Sequence, residues 1–228
     1  DWDNVVMIQC VGAGNEAHPN CGRICCQTAI SNALKLKELN PDIRIVVLYR
    51  DIRTYGFQED YYHLAREKGV IFERYEVDAP PKVEKTSNKA RLKVKFKDLI
   101  LNRDMEIDVN AVILSTSLVP SQDNIRLSRL MKLDLTDDGF FKESHIKLDP
   151  IVLTRPGFFV CGSAHYPKTI SESVSQALAA ASKAHEILSK QAIRGNDVFA
   201  VVEREKCAVC LTCVRGCPYD VPFINGQG

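Results

Sequence analysis

Apolar residues recur along the first fifty positions with two different periods. Residues 5–11 form an apolar run, which is typical of a buried parallel strand. Within 24–39 the apolar residues, among them Ile30, Ala33 and Leu34, repeat at helical spacing. A second strand is predicted over 43–49. The pattern therefore predicts strand, helix and strand in close succession, which is a βαβ unit.

The same two periods continue to residue 114. In order they predict a helix closed by Gly69, a strand, a solvated loop, a hairpin with alternating apolar residues, and another buried strand. These elements occupy 58–68, 70–75, 78–89, 92–109 and 111–114.

The second half of the chain gives fewer signals until residue 158. One helix is predicted around 125–130, and a short apolar strand over 158–161. An Ala-rich amphipathic helix follows over 171–189, with its Ala-rich face in the core.

This order of elements resembles the pyridine-nucleotide disulfide oxidoreductases, such as thioredoxin reductase. The resemblance implies an α/β fold whose first part is a Rossmann-like three-layer nucleotide-binding domain, over 1–117. Residues 118–192 would be the returning end of an FAD domain, and 193–228 a partial ferredoxin-type, cysteine-rich tail.

Composition narrows the class of protein. The chain has 228 residues, is 45% hydrophobic and carries a net charge of +1, so it has no electrostatic footprint for nucleic acid. Neither an apolar run long enough to span a bilayer nor a signal peptide is evident, which predicts a soluble, cytoplasmic protein. The chain opens on a strand and stops after a single cysteine run, which suggests a fragment or one gene of a split system.

Eight of the nine cysteines fall into two groups. The second group, Cys207, Cys210, Cys213 and Cys217 followed by Pro218, has the spacing with which bacterial ferredoxins hold a [4Fe–4S] cluster. In two-cluster ferredoxins the fourth cysteine of a run ligates the other cluster, so one run alone lacks a complete ligand set. Structural zinc is the competing interpretation, and the Cys-Pro ending favours iron–sulfur.

The first group, Cys10, Cys21, Cys25 and Cys26, fits no common cluster pattern. Its members lie at the end of the first strand, in the next loop and in the first turn of the following helix. Four thiolates converging there would need a cation or an iron–sulfur core to neutralise them. Alternatively they are small buried hydrophobes.

A glycine-rich loop lies between these cysteines. Gly12-x-Gly14-x-x-Ala17 formally satisfies the dinucleotide fingerprint, but that fingerprint needs a helix to begin near the second glycine. Pro19 interrupts the segment, and no acidic ribose ligand ends the second strand. Nicotinamide binding here is therefore the weaker interpretation.

Several longer strings make the chain similar to the A subunits of heterodisulfide reductase. They are 7–12, Cys21-x3-Cys25-Cys26, 48–56, 138–141 and 161–168. The resemblance implies a non-standard [4Fe–4S] cluster with Cys10, Cys21, Cys25 and Cys26 as its ligands.

The segment 158–173 is similar to the flavoenzyme region in which a strand leads to a helix whose N-terminus points at the flavin. A helix N-terminus stabilises negative charge on a reduced flavin. The expected FAD contacts are Gly162, Ser163, Ala164, His165, Lys168, Ser171 and Ser173.

Within that segment Lys168 is the candidate for tuning the flavin, the alternative being a solvated loop lysine. Ser163 replaces the usual Asp, His165 is the type of residue that more often has a structural role, and Cys161 is predicted to be packed core. The pyrophosphate of FAD normally lies on an N-terminal glycine-rich loop, and no such unit precedes Asp1 in this sequence. This chain alone is therefore expected to bind FAD weakly or not at all.

The leading functional hypothesis is an electron-transfer iron–sulfur flavoprotein subunit. The resemblance implies that its FAD splits an electron pair from a hydrogenase or formate dehydrogenase module between disulfide reduction and ferredoxin. It also implies a hetero-oligomer with the other heterodisulfide reductase subunits, or a related quinone-linked sulfate-reduction complex. The alternatives are an NAD(P)H-dependent flavoprotein disulfide oxidoreductase with an added ferredoxin tail and a zinc-stabilised assembly module.

Overall fold

The computed structural model describes residues 2–86, 91–192, 200–217 and 221–224. The chain divides into two compact units, Asp1–Leu188 and Ser189–Gly228. No helix within the described ranges is both long enough and apolar enough to cross a membrane.

Outside residues 1 and 87–90, the first half of the larger unit contains seven strands and two helices. In chain order they are β1 (Asn4–Val11), α1 (Cys25–Leu39), β2 (Arg44–Tyr49), α2 (Gln58–Glu67), β3 (Ile71–Arg74), β4 (Lys82–Lys85), β5 (Leu92–Asp98), β6 (Arg103–Val109) and β7 (Ala111–Thr116). Four of the strands form a parallel sheet in the order β3-β2-β1-β7. The parallel βαβ arrangement predicted from the apolar periodicity is thus confirmed.

Each face of the parallel sheet is covered by a different layer. On one face Met7 and Ile45 pack with Ile30 of α1 and Ala65 of α2. On the other face Val6, Ile8 and Leu48 pack against Val94 and Val109 of the antiparallel sheet β4-β5-β6. The strands of the parallel sheet are therefore apolar on both sides, which explains the uninterrupted run in β1. The three-layer Rossmann-like architecture is confirmed.

One segment of this half differs from the prediction. The solvated loop predicted over 78–89 contains β4, which pairs antiparallel with β5 so that Val83 lies opposite Val94. All four β4 residues are exposed. A strand of four residues with a single apolar side chain gives no period that could be recognised in the sequence.

The rest of the larger unit is less regular. It comprises α3 (Asp123–Met131), β8 (Glu143–His145), β9 (Asp149–Leu153), a 3-10 turn (Gly162–Ala164) and α4 (Ile170–Leu188). A small core of Leu133, Phe141, Leu153 and Val160 packs against Leu127 and Met131 of α3. The strand predicted over 158–161 is wrong, because that segment makes only an isolated bridge, Phe159 to Val152, beside β9.

The long helix α4 has the predicted extent but not the predicted burial. None of its residues is buried, and Val174 and Leu178 are 54% and 68% exposed. It contacts β9 and the 3-10 turn on one side. The Ala-rich face predicted as core is therefore not buried among the described residues.

The described residues of the smaller unit contain little regular structure. It contains a 3-10 turn (Arg204–Lys206) and the short helix α5 (Thr212–Gly216). No residue in 200–217 is buried. Pro218, which completes the predicted cluster motif, lies outside the described residues.

Candidate functional site

Three of the four upstream cysteines line one cavity. Cys10, near the end of β1, Cys21, in the loop, and Cys25, the first residue of α1, surround a volume of ≈ 110 Å³ at the carboxyl ends of β1 and β7. Cys10 has φ +60°, a left-handed conformation that costs a non-glycine residue free energy and that occurs preferentially at functional sites. The fold therefore brings separated positions of the sequence to one locus.

The fourth cysteine, Cys26, lies beside the cavity and is not part of its lining. Its side chain is buried, and its thiol donates to the carbonyl oxygen of Asp51 at 3.7 Å. It also interacts with the thiol of Cys25, and this hydrogen bond raises the pKa of Cys25 and lowers that of Cys26. To ligate a cluster in the cavity, Cys26 would have to turn away from Asp51.

The surroundings of the cavity suit a negatively charged group. Arg50 and Arg53 also line it, and the backbone N–H of Arg23 donates to the sulfur of Cys21 at 3.3 Å. Positive charges and N–H donors around thiolates are features of iron–sulfur sites. The donor set therefore fits a [4Fe–4S] cluster, whose ligands bind four separate irons. No three His, Cys, Asp or Glu side chains within the described ranges are placed to hold a single metal ion.

A neighbouring residue, Gln9, is fully buried with unpartnered side-chain atoms. Neither its amide nitrogen nor its amide oxygen has a hydrogen-bond partner. Gln9 lines a second cavity, of ≈ 280 Å³, which it shares with Cys25, Thr28 and Asn32 of α1. A buried amide without partners costs free energy. The Gln9 side chain is therefore a candidate hydrogen-bond partner for a group bound at the cysteines.

The glycine-rich loop after β1 does not form a phosphate cradle. The guanidinium of Arg50 donates to the carbonyl oxygens of Ala13 at 2.6 Å and Gly14 at 3.1 Å. A side chain at Gly14 would approach that guanidinium to 3.2 Å. The helix begins only at Cys25, as the interruption at Pro19 led us to expect. The loop thus turns carbonyl oxygens, rather than the N–H groups that bind a pyrophosphate, toward a cation.

The predicted flavin segment, 158–173, includes the 3-10 turn and ends in the first turn of α4. Gly162, Ser163 and Ala164 form the 3-10 turn, and the N–H of Gly162 donates to Gln176 at 2.9 Å. Ser173 donates to the carbonyl oxygen of Thr169 at 2.8 Å. Within the 3-10 turn, Ser163 and Ala164 are exposed.

The other predicted flavin serine lies at the start of the helix. The Ser171 hydroxyl is exposed and lies 3.1 Å from the hydroxyl of Thr169. All five small residues predicted to contact FAD therefore lie in the 3-10 turn or in the first turn of α4. The N-terminus of α4 could stabilise negative charge on a flavin ring.

His165 and Lys168 form a buried network below the same turn. His165 is 4% exposed, and its Nε2 lies 3.0 Å from Glu143, while Nδ1 lies 3.3 Å from the ammonium group of Lys168 and 2.9 Å from Gln176. Burial lowers the pKa of His165, and burial followed by the charge of Arg23 lowers that of Lys168 to about 8.

Lys168 is only 8% exposed, and its ammonium group lies 2.7 Å from the centre of the Tyr166 ring. The interpretation of Lys168 as a solvated loop lysine is therefore wrong, and its charge is held inside the fold.

One predicted position has the opposite environment. Cys161, expected to be packed core, is exposed. It has extended backbone geometry and precedes the 3-10 turn, and its position at the end of an apolar segment did not reveal which way the side chain points.

Some residues of the site were missed from the sequence. Glu143 and Gln176 give no local signal. Glu172 could have been found, because Thr169-x-x-Glu172 is a capping box ahead of a helix.

The tail cysteines are held differently. Cys207, Cys210 and Cys213 are exposed, and Cys217 is half-buried. The hydroxyl of Thr212 donates to the sulfur of Cys210 at 3.4 Å, which lowers the pKa of that thiol. The cysteines of the upstream group are thiols rather than disulfides, as are Cys161, Cys207, Cys210 and Cys213.

Comparison with known proteins gives consistent relatives over nearly the whole chain. The iron-sulfur A subunit of CoB–CoM heterodisulfide reductase from Methanocaldococcus jannaschii is 36% identical in an alignment that covers 98% of this chain and 34% of that protein. The A subunit of ferredoxin:CoB-CoM heterodisulfide reductase from Methanosarcina acetivorans is 33% identical, over 98% of this chain and 28% of that protein. The chain thus spans about a third of the length of these relatives. No family model matches.

Solved structures show the fold. Thioredoxin reductase from Lactococcus lactis matches with a TM-score of 0.52 and 15% identity, over 82% of this chain and 53% of that one. Thioredoxin reductase from T. acidophilum matches with a TM-score of 0.50 and 14% identity over the same shares. The predicted resemblance of the fold to thioredoxin reductase is confirmed.

Proposed function

Because this chain belongs to the family of heterodisulfide reductase A subunits, in the roughly one third of the relatives' length that it spans, we propose that it is part of an electron-transfer iron–sulfur flavoprotein. The proposal is an oxidoreductase that exchanges electrons between FAD and [4Fe–4S] clusters. The convergence of Cys10, Cys21 and Cys25 on one cavity, with Cys26 adjacent, is the observation that carries it.

The upstream group would hold one cluster through Cys10, Cys21, Cys25 and Cys26. Arg50 and Arg53 would offset the charge of the thiolates, and the N–H of Arg23 would remain bonded to Cys21. The potentials of iron–sulfur clusters depend on nearby charge, hydrogen bonds to sulfur and burial. This chain supplies all three around one cavity, which suits a site that only transfers electrons.

The segment around the first turn of α4 would contribute to the binding of FAD. Gly162, Ser163, Ala164, Ser171 and Ser173 would contact it, and FAD would supply the conversion between two-electron and one-electron transfer. The buried network below the turn would then affect the flavin through its charge. Lys168 carries that charge, while His165 and Glu143 hold it in position.

In the tail, Cys207, Cys210, Cys213 and Cys217 would be ligands of ferredoxin-type clusters. Residues outside this run would supply the remaining ligands. Names of relatives suggest what the assembly exchanges electrons with. One relative is a ferredoxin:CoB-CoM heterodisulfide reductase subunit, and that of Methanococcus maripaludis is an H(2)/formate:CoB-CoM heterodisulfide,ferredoxin reductase subunit.

We accordingly propose as partners the other heterodisulfide reductase subunits, ferredoxin, and a hydrogenase or formate dehydrogenase module. Electron bifurcation between the heterodisulfide and ferredoxin is part of this proposal.

Anaerobic reconstitution of the chain with iron and sulfide tests the cluster assignment. The wild-type chain should bind iron and sulfide in equal amounts and give an EPR signal after reduction with dithionite. The variant Cys21→Ser should lose about one cluster, or about four irons. Cys161→Ser is the matched control, because that exposed thiol lies in neither cysteine group. Equal iron contents in both variants, or zinc as the only bound metal, would contradict the proposal.

A further inference from the structure

Arg23 lies in the middle of the upstream cysteine group and reaches a distant part of the chain. It stands between Cys21 and Cys25, and its backbone N–H bonds to the sulfur of Cys21. Its guanidinium donates to Glu172 at 2.6 Å and to the carbonyl oxygen of Pro167 at 3.2 Å. A single residue therefore contacts both a predicted cluster ligand and the segment that leads into α4.

Two aromatic residues complete the contacts of this guanidinium. It lies 5.4 Å from the centre of the Tyr166 ring, and it also donates to the hydroxyl of Tyr55 at 3.4 Å. That hydroxyl itself donates to Glu172 at 3.4 Å. The loop after β2 thus joins the cysteine loop and α4 at the same point.

Its partner, Glu172, has a second role at the start of α4. One carboxylate oxygen accepts hydrogen bonds from the N–H of Thr169 at 2.8 Å and from its hydroxyl at 3.1 Å, while the N–H of Glu172 donates back to that hydroxyl at 3.3 Å. This is a capping box, which fixes the first turn of the helix. The other oxygen of Glu172 accepts from Arg23, so a single carboxylate is bonded both to the cysteine loop and to the cap.

The backbone of Arg23 shows that these contacts matter. Its φ is +61°, a conformation that glycine adopts without the steric cost paid by other residues. Contacts of the arginine side chain can offset this cost. The ion pair with Glu172 is well placed to do so, because the two side chains are only 27% and 33% exposed and solvent screens them less than surface charges.

We infer that Arg23 is a positioning residue that couples the upstream cysteine loop to the first turn of α4. It fixes the orientation of Cys21 and Cys25 relative to the helix that would face the flavin. The redox consequence rests on the proposed function; the coupling itself is a property of the polypeptide. A change at the cap of α4 should therefore alter the cysteine site, although Glu172 contacts none of the four cysteines by a hydrogen bond or ion pair in this structure.

The test is a double-mutant cycle of Arg23→Gln and Glu172→Gln in the reconstituted chain. Arg53→Gln is the matched control, because Arg53 lines the same cavity but pairs with Asp51, two residues away, at 2.9 Å. Iron content, the EPR spectrum of the reduced cluster and the midpoint potential of the cluster are measured in each variant. Glu172→Gln should change the EPR spectrum in the presence of Arg23, because Arg23 loses the partner that holds it beside Cys21. In the Arg23→Gln background the same change should have little effect.

The control separates charge from coupling. Arg53→Gln should shift the potential but leave the effect of Glu172→Gln intact. If Glu172→Gln has the same effect with and without Arg23, or none while the iron content is normal, the coupling is overturned.

A chain without any reducible cluster would overturn the proposed function instead, and the coupling is then decided in the metal-free chain by amide hydrogen exchange. Arg23→Gln should increase exchange in the first turn of α4 by at least the factor that Glu172→Gln does, whereas Arg53→Gln should not. Unchanged exchange in Arg23→Gln would contradict the coupling in that case.

Discussion

The two cysteine groups offer similar ligands on very different supports. The upstream group is attached to β1 and α1, whose side chains Met7 and Ile30 form a buried core with Val47, and Cys26 is itself buried. In the tail, no residue of 200–217 is buried. A site built on a core keeps its shape without its metal, whereas a small unit without one takes its stability from the metal it binds.

Backbone strain occurs in both groups and sharpens this contrast. Six non-glycine residues in the described ranges have positive φ, and four of them lie in the segments that carry the cysteine groups: Cys10, Arg23, Val209 and Leu211. Upstream, the core and the contacts of Arg23 offset the cost. In the tail no core is present among the described residues, so the same strain must be offset by bound metal if the conformation is to persist.

The largest effect is expected from a core substitution beneath the upstream group. Ile45→Ala removes a fully buried side chain from β2 and should lower the free energy of unfolding of the metal-free chain by about 2–5 kcal/mol. Val201→Ala, at a tail residue that is 70% exposed, should change it by less than about 0.5 kcal/mol. Urea unfolding followed by circular dichroism measures both. Equal losses would show that the tail shares the core.

The sequence identified the parts of the upstream site that depend on periodicity. The apolar run in β1 and the helical spacing of Ile30, Ala33 and Leu34 place Cys10 and Cys25 at the same end of neighbouring elements. Parallel strands with their helices impose that arrangement, so the positions of these two cysteines in the sequence are sufficient to predict that they lie close together.

Side-chain direction was not available from the same pattern. Cys161 and Cys26 were both candidates for packed core, yet one is exposed and the other is buried with its thiol on the carbonyl oxygen of Asp51. The Ala-rich face of α4 shows the same limit, since periodicity identifies a face that can be buried but not what covers it. The contact of Arg23 with Glu172 spans 149 positions and has no local signature.

A buried charge provides the second comparison between the units. The pKa of Lys168 is about 8 in the folded chain, because of burial, and about 10.4 in an unfolded one. Between these pH values only the unfolded chain holds the proton, so stability rises with pH. The gain from pH 7 to pH 10.5 should be about 3 kcal/mol larger in the wild type than in Lys168→Met.

Lys206, which is exposed in the tail, is the matched control for this pH dependence. Lys206→Met should retain the wild-type slope in urea unfolding at a series of pH values. Parallel curves for the wild type and Lys168→Met would mean that the ammonium group is solvated in solution.

Gln9 tests whether the upstream site is complete without its metal. Both side-chain polar atoms of Gln9 are buried and unpartnered. Gln9→Met, which keeps the shape and removes the polar atoms, should stabilise the metal-free chain by about 1–3 kcal/mol. After reconstitution the gain should be smaller, if the amide contacts the cluster. A loss of stability in the metal-free chain would instead reveal a partner of this amide within the protein.

The smallest effect is expected in the tail, where solvent weakens each contact. The hydrogen bond from Thr212 lowers the pKa of Cys210, so the nearly isosteric Thr212→Val should raise that pKa and reduce the thiolate fraction near neutral pH. Alkylation of Cys210 by iodoacetamide should slow by about twofold, measured on the peptide by mass spectrometry. Cys207, also exposed, should react at an unchanged rate in the same sample. A much larger slowing would indicate that the tail holds Cys210 in an ordered site without metal, and the contrast between the two groups would then be one of degree.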